Sequence, residues 1–284
     1  MDKWEPEKTL QLISQHGITH SFFVPTMFMR MLDLPATCRE QYDLSTLKFI
    51  IHGAAPCSVK TKQQMLDWFG PIIWEMFAGT EGSGTIVSPQ EWLAKPGTVG
   101  KPGPTQLKIC DEQGNNVAAG TEGQIWIINP AASSFEYYKA PEKTTNAQRD
   151  GYFTAGDIGY IDEDGYLFIT GRSAETIISG GVNLYPQEID DVLLTHPNIA
   201  DVACVGVPHP DLREQVKAVV QLVDGIKASA ALAEELIEFV KPHLAKQKWP
   251  RSVDFVASIP RSEAGKIYRR QLRDQYWQDQ DTKI

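Results

Sequence analysis

The chain has 284 residues, 42% hydrophobic and 22% charged, long enough for two or three compact units of ordinary soluble composition. Its 27 basic and 36 acidic residues leave a formal charge of −9, which argues against a general nucleic-acid or anionic-membrane surface. Four scattered cysteines without a Cys-x-x-Cys pair argue against zinc and for a reduced, cytoplasmic setting, and no stretch is apolar for long enough to span a bilayer.

Residues 1–97 alternate short apolar runs with helical patterns. Strands are expected over Ile18–Val24, Leu47–His52 and Ile72–Phe77, and helices over Pro25–Leu34 and Val59–Phe69. Strand–helix alternation predicts a parallel sheet, here a partial α/β sheet of three strands. Residues 98–171 change character, with Gly and Pro punctuating the alternating runs Gln106–Cys110, Gly123–Ile128 and Tyr166–Thr170. Tight turns at Asp111–Gly114 and Asp162–Gly165 predict a β-barrel-like subdomain. Residues 172–284 read as a small α+β domain, with strands over Val202–Val207, Val216–Val223 and Val253–Val256 and helices over Pro186–Leu194 and Ala230–Leu244. The fold class is therefore α/β and α+β multidomain.

Gly265-Lys266 and Gly100-Lys101 both fail the phosphate-loop pattern, lacking the earlier Gly and the following Ser or Thr. Gly171–Glu175 misses the nucleophile elbow because its last position is not Gly. Five polar loops remain. His52-Gly-Ala-Ala-Pro56 lets backbone approach something flat, although alone it is an ordinary strand-to-helix turn. Phe77–Gly84 pairs a Thr hydroxyl with a carboxylate after a buried strand, which suits a phosphate oxygen and Mg²⁺; a flexible glycine loop is the alternative. Asp157 is suited to paired ribose hydroxyls or to capping the next strand, and Arg172 to a nucleotide or to a plain linker. Gly180-Gly181 permits a narrow backbone-lined passage. Lys266, in Pro260–Ile267, could offset charge as a carboxylate attacks a phosphate. The surrounding basic cluster, Arg261–Arg273, reads as either a solvated tail or an anion site.

In this order the loops resemble the adenylate-forming superfamily of acyl-CoA synthetases, luciferases and peptide-synthetase adenylation domains. The similarity is greatest to bacterial fatty-acid or steroid-type acyl-CoA ligases, carried mainly by Ile177–Pro186 and Pro260–Ile267. The resemblance implies that Gly53, Ala54 and Ala55 line an adenine, Thr80 meets phosphate and Glu81 holds Mg²⁺. It implies that Asp157 and Arg172 bind ribose or phosphate, Gly180 and Gly181 line the pantetheine path of CoA, and Lys266 is the adenylation lysine. It also implies a small mobile carboxyl-terminal domain that rotates between half-reactions. Departures from the family pattern are Phe77-Ala78 for Tyr-Gly, Ala174 at the hinge, and no Ser/Thr/Gly-rich phosphate loop ending in Lys.

The expected function is activation of a carboxylic acid by ATP, then thioester formation with CoA. The chain is expected to be a carboxyl-terminal portion, weak or inactive alone, that self-associates or pairs with an amino-terminal chain. A non-catalytic nucleotide- or CoA-binding or regulatory role is the alternative. A peptide-synthetase domain is disfavoured, because the chain ends soon after the lysine loop with no carrier region.

Overall fold

The computed structural model describes residues 4–103, 106–128, 135–262 and 265–278. The chain divides into two compact units: Met1–Ala155 with Gly159–Ile169, and Gly156–Ile158 with Thr170–Ile284.

The first unit opens with α1 (Pro6–His16), β1 (His20–Phe23), α2 (Pro25–Leu32) and α3 (Ala36–Arg39). There follow β2 (Phe49–Gly53), α4 (Val59–Phe69), β3 (Ile73–Gly79), β4 (Gly82–Val87) and α5 (Pro89–Ala94). Local sequence sets several helix ends. Pro6 begins α1 and Gly17, left-handed at φ 59°, ends it. Ser58 accepts from the Thr61 amide to cap α4, and Ser88 with Glu91 forms a reciprocal capping box on α5. The sheet order is β1-β2-β3-β4; β1, β2 and β3 are parallel, while β4 folds back antiparallel to β3. The expected three-stranded parallel sheet is present with a fourth strand added.

Only one face of that sheet carries a deep core. Phe23, Ile50 and Ile73 pack with Phe28, Met31 and Met65 from the helices. On the other face His20 is exposed, Phe22 is 49% exposed, and Phe49, Ile51, Trp74 and Met76 are half-buried. His20, Phe49 and Trp74 form a ribbon of rings across three strands, with centroids 5.8 and 5.7 Å apart.

The middle elements are β5 (Thr98–Gly100), β6 (Leu107–Cys110), β7 (Gly123–Ile128), α6 (Pro141–Asn146), β8 (Gln148–Arg149), β9 (Tyr152–Phe153), β10 (Asp157–Ile161) and β11 (Leu167–Arg172). They make one seven-stranded sheet, β5-β11-β10-β7-β9-β8, with β6 also on β7. The path has two ends, so among the described residues the sheet is not a closed barrel. The Asp162–Gly165 turn is fixed from outside, because Lys95 bonds both Asp162, at 2.8 Å, and Asp164.

The second unit contains a 3₁₀ turn (Ser173–Glu175), β12 (Ile177–Ser179), β13 (Val182–Leu184), α7 (Pro186–Leu193), β14 (Ile199–His209) and β15 (Arg213–Leu222). It continues with α8 (Ala230–Val240), a second 3₁₀ turn (Lys246–Lys248), β16 (Ser252–Val256) and α9 (Arg269–Gln275). Helix α8 stops at Val240, four residues short of the sequence expectation. β14 is buried on both faces. Val202 and Cys204 face α7 and α8, whereas Ala203, Val205 and Val207 pack with Ile259 and Leu272.

Candidate active site

The loops after β2 and β3 leave the carboxyl ends of parallel strands, where open α/β sheets place ligands. Gly53 is required there by close packing, since a Cβ would lie 2.6 Å from the Met76 carbonyl oxygen. Ala54 follows with φ 70°, a left-handed conformation that costs an alanine on the order of 1 kcal/mol. It is exposed, and Ala55 is half-buried.

Phe77–Gly84 is not a flexible glycine loop. β3 runs on to Gly79, β4 begins at Gly82, and Gly79 pairs with Gly82 across a turn made by Thr80 and Glu81. Gly84 is explained by that pairing, because a Cβ would sit 1.7 Å from the Phe77 carbonyl oxygen. Thr80 is thus presented at a hairpin tip, exposed. Glu81 folds back over Gly79 and accepts a 3.0 Å hydrogen bond from the Tyr137 hydroxyl.

Beneath the Gly53 loop lies a cluster that sequence reasoning missed. Lys62 and His52 are fully buried, and the Lys62 ammonium donates to Glu75 at 2.6 Å, 4.8 Å from the Trp92 ring centre. His52 Nε2 is 3.6 Å from the same carboxylate oxygen, and neither ring nitrogen has a hydrogen-bond partner. Burial holds the imidazole neutral, well below its ordinary range, with Lys62 adding to the effect. Burial also pushes Glu75 up and Lys62 down, each opposed by the other's charge. The β2–β3 register sets His52 opposite Glu75, and α4 brings Lys62 to them.

In the second unit, Asp157 and Arg172 come together: the Arg172 Nε donates to the half-buried Asp157 at 2.8 Å. Arg172 remains exposed. Gly180 and Gly181, at φ 58° and 81°, form the two-residue turn between β12 and β13, the type I′ geometry that requires positive φ at both positions. A partly open cavity of about 210 Å³ adjoins this turn, lined by Ser179, Gly180, Leu212, Trp249 and Arg251 among others.

Three arginines of the basic cluster are held by carboxylates rather than left as a solvated tail. Arg261 binds Asp201 through two nitrogens at 2.7 and 2.8 Å. Arg269 binds Glu175 at 2.7 Å and Asp190 at 2.5 Å, and Arg273 binds Glu214 at 2.9 Å. Lys266 is exposed, and among the described residues its ammonium has no carboxylate partner. Glu263 and Ala264 of the expected loop lie outside the described residues.

The two features of the second unit stand at opposite ends of one ladder. β12 meets β15 at Arg213, next to the glycine turn, whereas Asp201, the anchor of Arg261, pairs with Gln221. Eight residues of strand separate them, about 26 Å.

The family model of the AMP-binding enzyme matches residues 1–138, and that of the AMP-binding enzyme C-terminal domain matches residues 188–266. The chain belongs to the adenylate-forming, AMP-binding enzymes. The chain is 34% identical over 278 residues to a long-chain-fatty-acid–CoA ligase of Bacillus subtilis, covering 97% of this chain and 49% of that protein. It is 33% identical over 290 residues to the fatty acid–[acyl-carrier-protein] ligase ScoC of Streptomyces coeruleorubidus, covering 100% and 55%. The ATP-bound structure of MatB from Rhodopseudomonas palustris superposes with a TM-score of 0.84 at 31% identity, covering 98% of this chain and 54% of MatB. The chain thus spans about half the length of the relatives it matches. Among its described residues no helix is long and apolar enough to cross a membrane.

Proposed function

We propose that the chain takes part in activating a carboxylic acid with ATP to an acyl-adenylate and passing the acyl group to the thiol of CoA. The observation that carries this reading is Lys266. It is a cation without a carboxylate partner among the described residues, in a segment where Arg261, Arg269 and Arg273 are paired with carboxylates of the same unit. A fixed positive charge suits a site where negative charge gathers as a carboxylate attacks phosphorus.

In the first half-reaction Gly53, Ala54 and Ala55 border the adenine, Thr80 donates to phosphate, and the Asp157–Arg172 pair meets the ribose and phosphates. The residues present fit Mg²⁺ held mainly by nucleotide. Among the described residues no cluster of three or more His, Cys, Asp or Glu could hold a metal, and Mg²⁺ is commonly bound by one or two carboxylates plus phosphates. Glu81, steadied by Tyr137, supplies such a carboxylate. Bound Mg²⁺ would offset phosphate charge there. In the second half-reaction the Gly180-Gly181 turn borders the pantetheine arm, with the adjoining cavity available to CoA. The placement of Lys266 and this turn at opposite ends of one ladder favours a small domain that presents one end, then the other, by rotation at the turn containing Ala174.

Adenylation by the 284-residue chain alone is expected to be absent or very weak, because its sequence holds no Ser/Thr/Gly-rich loop ending in Lys to cradle the outer phosphates. The half-covered sheet supports pairing with a separate segment, or with a second copy. ATP–pyrophosphate exchange by the chain alone at the rate of an intact ligase would overturn the weak-activity statement. With a relative's upstream segment supplied, Lys266→Ala should abolish exchange and spare thioester formation from added acyl-adenylate. If that substitution changes nothing, the non-catalytic binding role stands instead.

A further inference from the structure

We propose that Arg261 is a positioning residue for Lys266, acting through Asp201 and the Gly265 carbonyl; its value to catalysis rests on the reading of Lys266 given above. Each of the three guanidinium nitrogens of Arg261 donates a hydrogen bond. Its Nε and Nη2 bind the two oxygens of Asp201, and its Nη1 donates to the Gly265 carbonyl oxygen at 2.7 Å, one residue before Lys266. Asp201 is itself fixed: it is 6% exposed, and its Oδ1 accepts from the Val202 amide at 2.9 Å.

The lysine segment is closed around this contact. Arg261 and Ile267 form an antiparallel bridge, the Ser262 amide donates to the Lys266 carbonyl at 2.8 Å, and the Lys266 amide donates to Ser262 Oγ at 3.1 Å. The Gly265 amide donates to the Ser262 carbonyl at 2.9 Å, and Gly265 takes φ 85°. Downstream, Arg269 holds the start of α9 to buried Asp190, to Glu175 and to the Cys204 carbonyl. The Cα of Lys266 is therefore braced from both sides while its side chain is left exposed. Fixing the backbone of Gly265 and Lys266 during folding removes the cost of ordering it from the reaction, which is how a charge on a long flexible stem gains directional effect.

A lysine at position 261 keeps the charge but cannot make the planar three-way contact. In Arg261→Lys and, separately, Asp201→Asn, the amides of Gly265 and Lys266 should exchange about tenfold faster, with Val205 and Val219 within about twofold of wild type. The backbone order parameter of Lys266 should fall from about 0.85 to below about 0.6. The double variant should add nothing to either single change. Unchanged exchange and order at Gly265 and Lys266 in both variants would overturn the proposal. So would acceleration spread evenly through β14, or failure of both variants to fold, either of which marks Arg261 as general support for the fold. Silence of Lys266→Ala in the exchange assay, with the loop loosened as expected, would remove the catalytic reading and leave the brace standing.

Discussion

β14 and β2 both carry core side chains, yet they live in different surroundings. β14 is buried along both faces by structure within its own unit and is paired with β15 at ten positions along one edge. β2 is covered by α2 and α4 on one face only, and the other face carries Phe49 and Ile51 beside the half-exposed rings of the neighbouring strands. Parallel strands are ordinarily covered on both faces. The second unit thus closes its own core, whereas the first leaves apolar surface for something else to cover. The same contrast holds for buried charge. The second unit pairs arginine forks with carboxylates, while the first buries a lysine–glutamate pair beside a neutral, unsatisfied imidazole.

The strongest way to sharpen this contrast is to break one buried pair. Lys62→Met strands Glu75 in the core and should destabilise the first unit by about 3–5 kcal/mol at pH 8. Glu75 can then take up a proton, so the loss should shrink toward pH 5. Amide exchange read separately for Ile50 and for Val205 checks it; equal loss at both positions would show that the units do not unfold independently.

A smaller, pH-dependent effect is expected in the closed unit. Burial pushes the Asp191 carboxyl up to about 7 from an ordinary 3.8. Between those values the folded protein holds a proton that the unfolded chain has released, so this group's contribution is full below about pH 4 and is lost as pH rises through 7. Asp191→Asn should therefore raise stability by about 1–3 kcal/mol at pH 8 and leave it nearly unchanged at pH 4. Thermal melts at the two pH values distinguish this from a pH-independent packing change.

Next is Gly181→Ala, expected to cost about 1–2 kcal/mol through the positive φ of the turn, although a Cβ there meets no atom. An unchanged melt would mean that the turn can leave its type I′ geometry freely. The smallest stability effect, within about 0.5 kcal/mol, is predicted for Phe22→Lys on the bare face. Its effect on assembly should be large: sedimentation should show loss of self-association. A wild-type chain that is already monomeric would remove self-association as the cover of that face.

Much of this was legible in the sequence because its cues are local. β1, α2, β2, α4 and β3 fall within a few residues of the positions read from apolar spacing, and the Asp157–Arg172 neighbours lie on adjoining strands. β4 was not legible. Gly82 and Gly84 look like loop residues until their backbone pairing with β3 is known; the β3 backbone excludes a Cβ at Gly84, and the Phe153 ring crowds one at Gly82. The arginines were misread for a related reason. Their partners lie 60 and 94 residues away, so a run of basic residues showed its charge but not its neutralisation. The His52–Lys62–Glu75 cluster needed both the register of β2 on β3 and the turn of α4 over them.

The β14–β15 ladder also bears on how such chains can vary over evolutionary time. One inserted residue in β14 would slide the Asp201 anchor about 3.3 Å and turn the following side chains to the opposite face. Both ends of the ladder would then be misplaced by a single event. Gly225, exposed and with no atom near a Cβ, marks a connection after β15 where length can drift without that penalty. Insertions and deletions among descendants should therefore gather around 224–228 and spare the ten paired positions beside it.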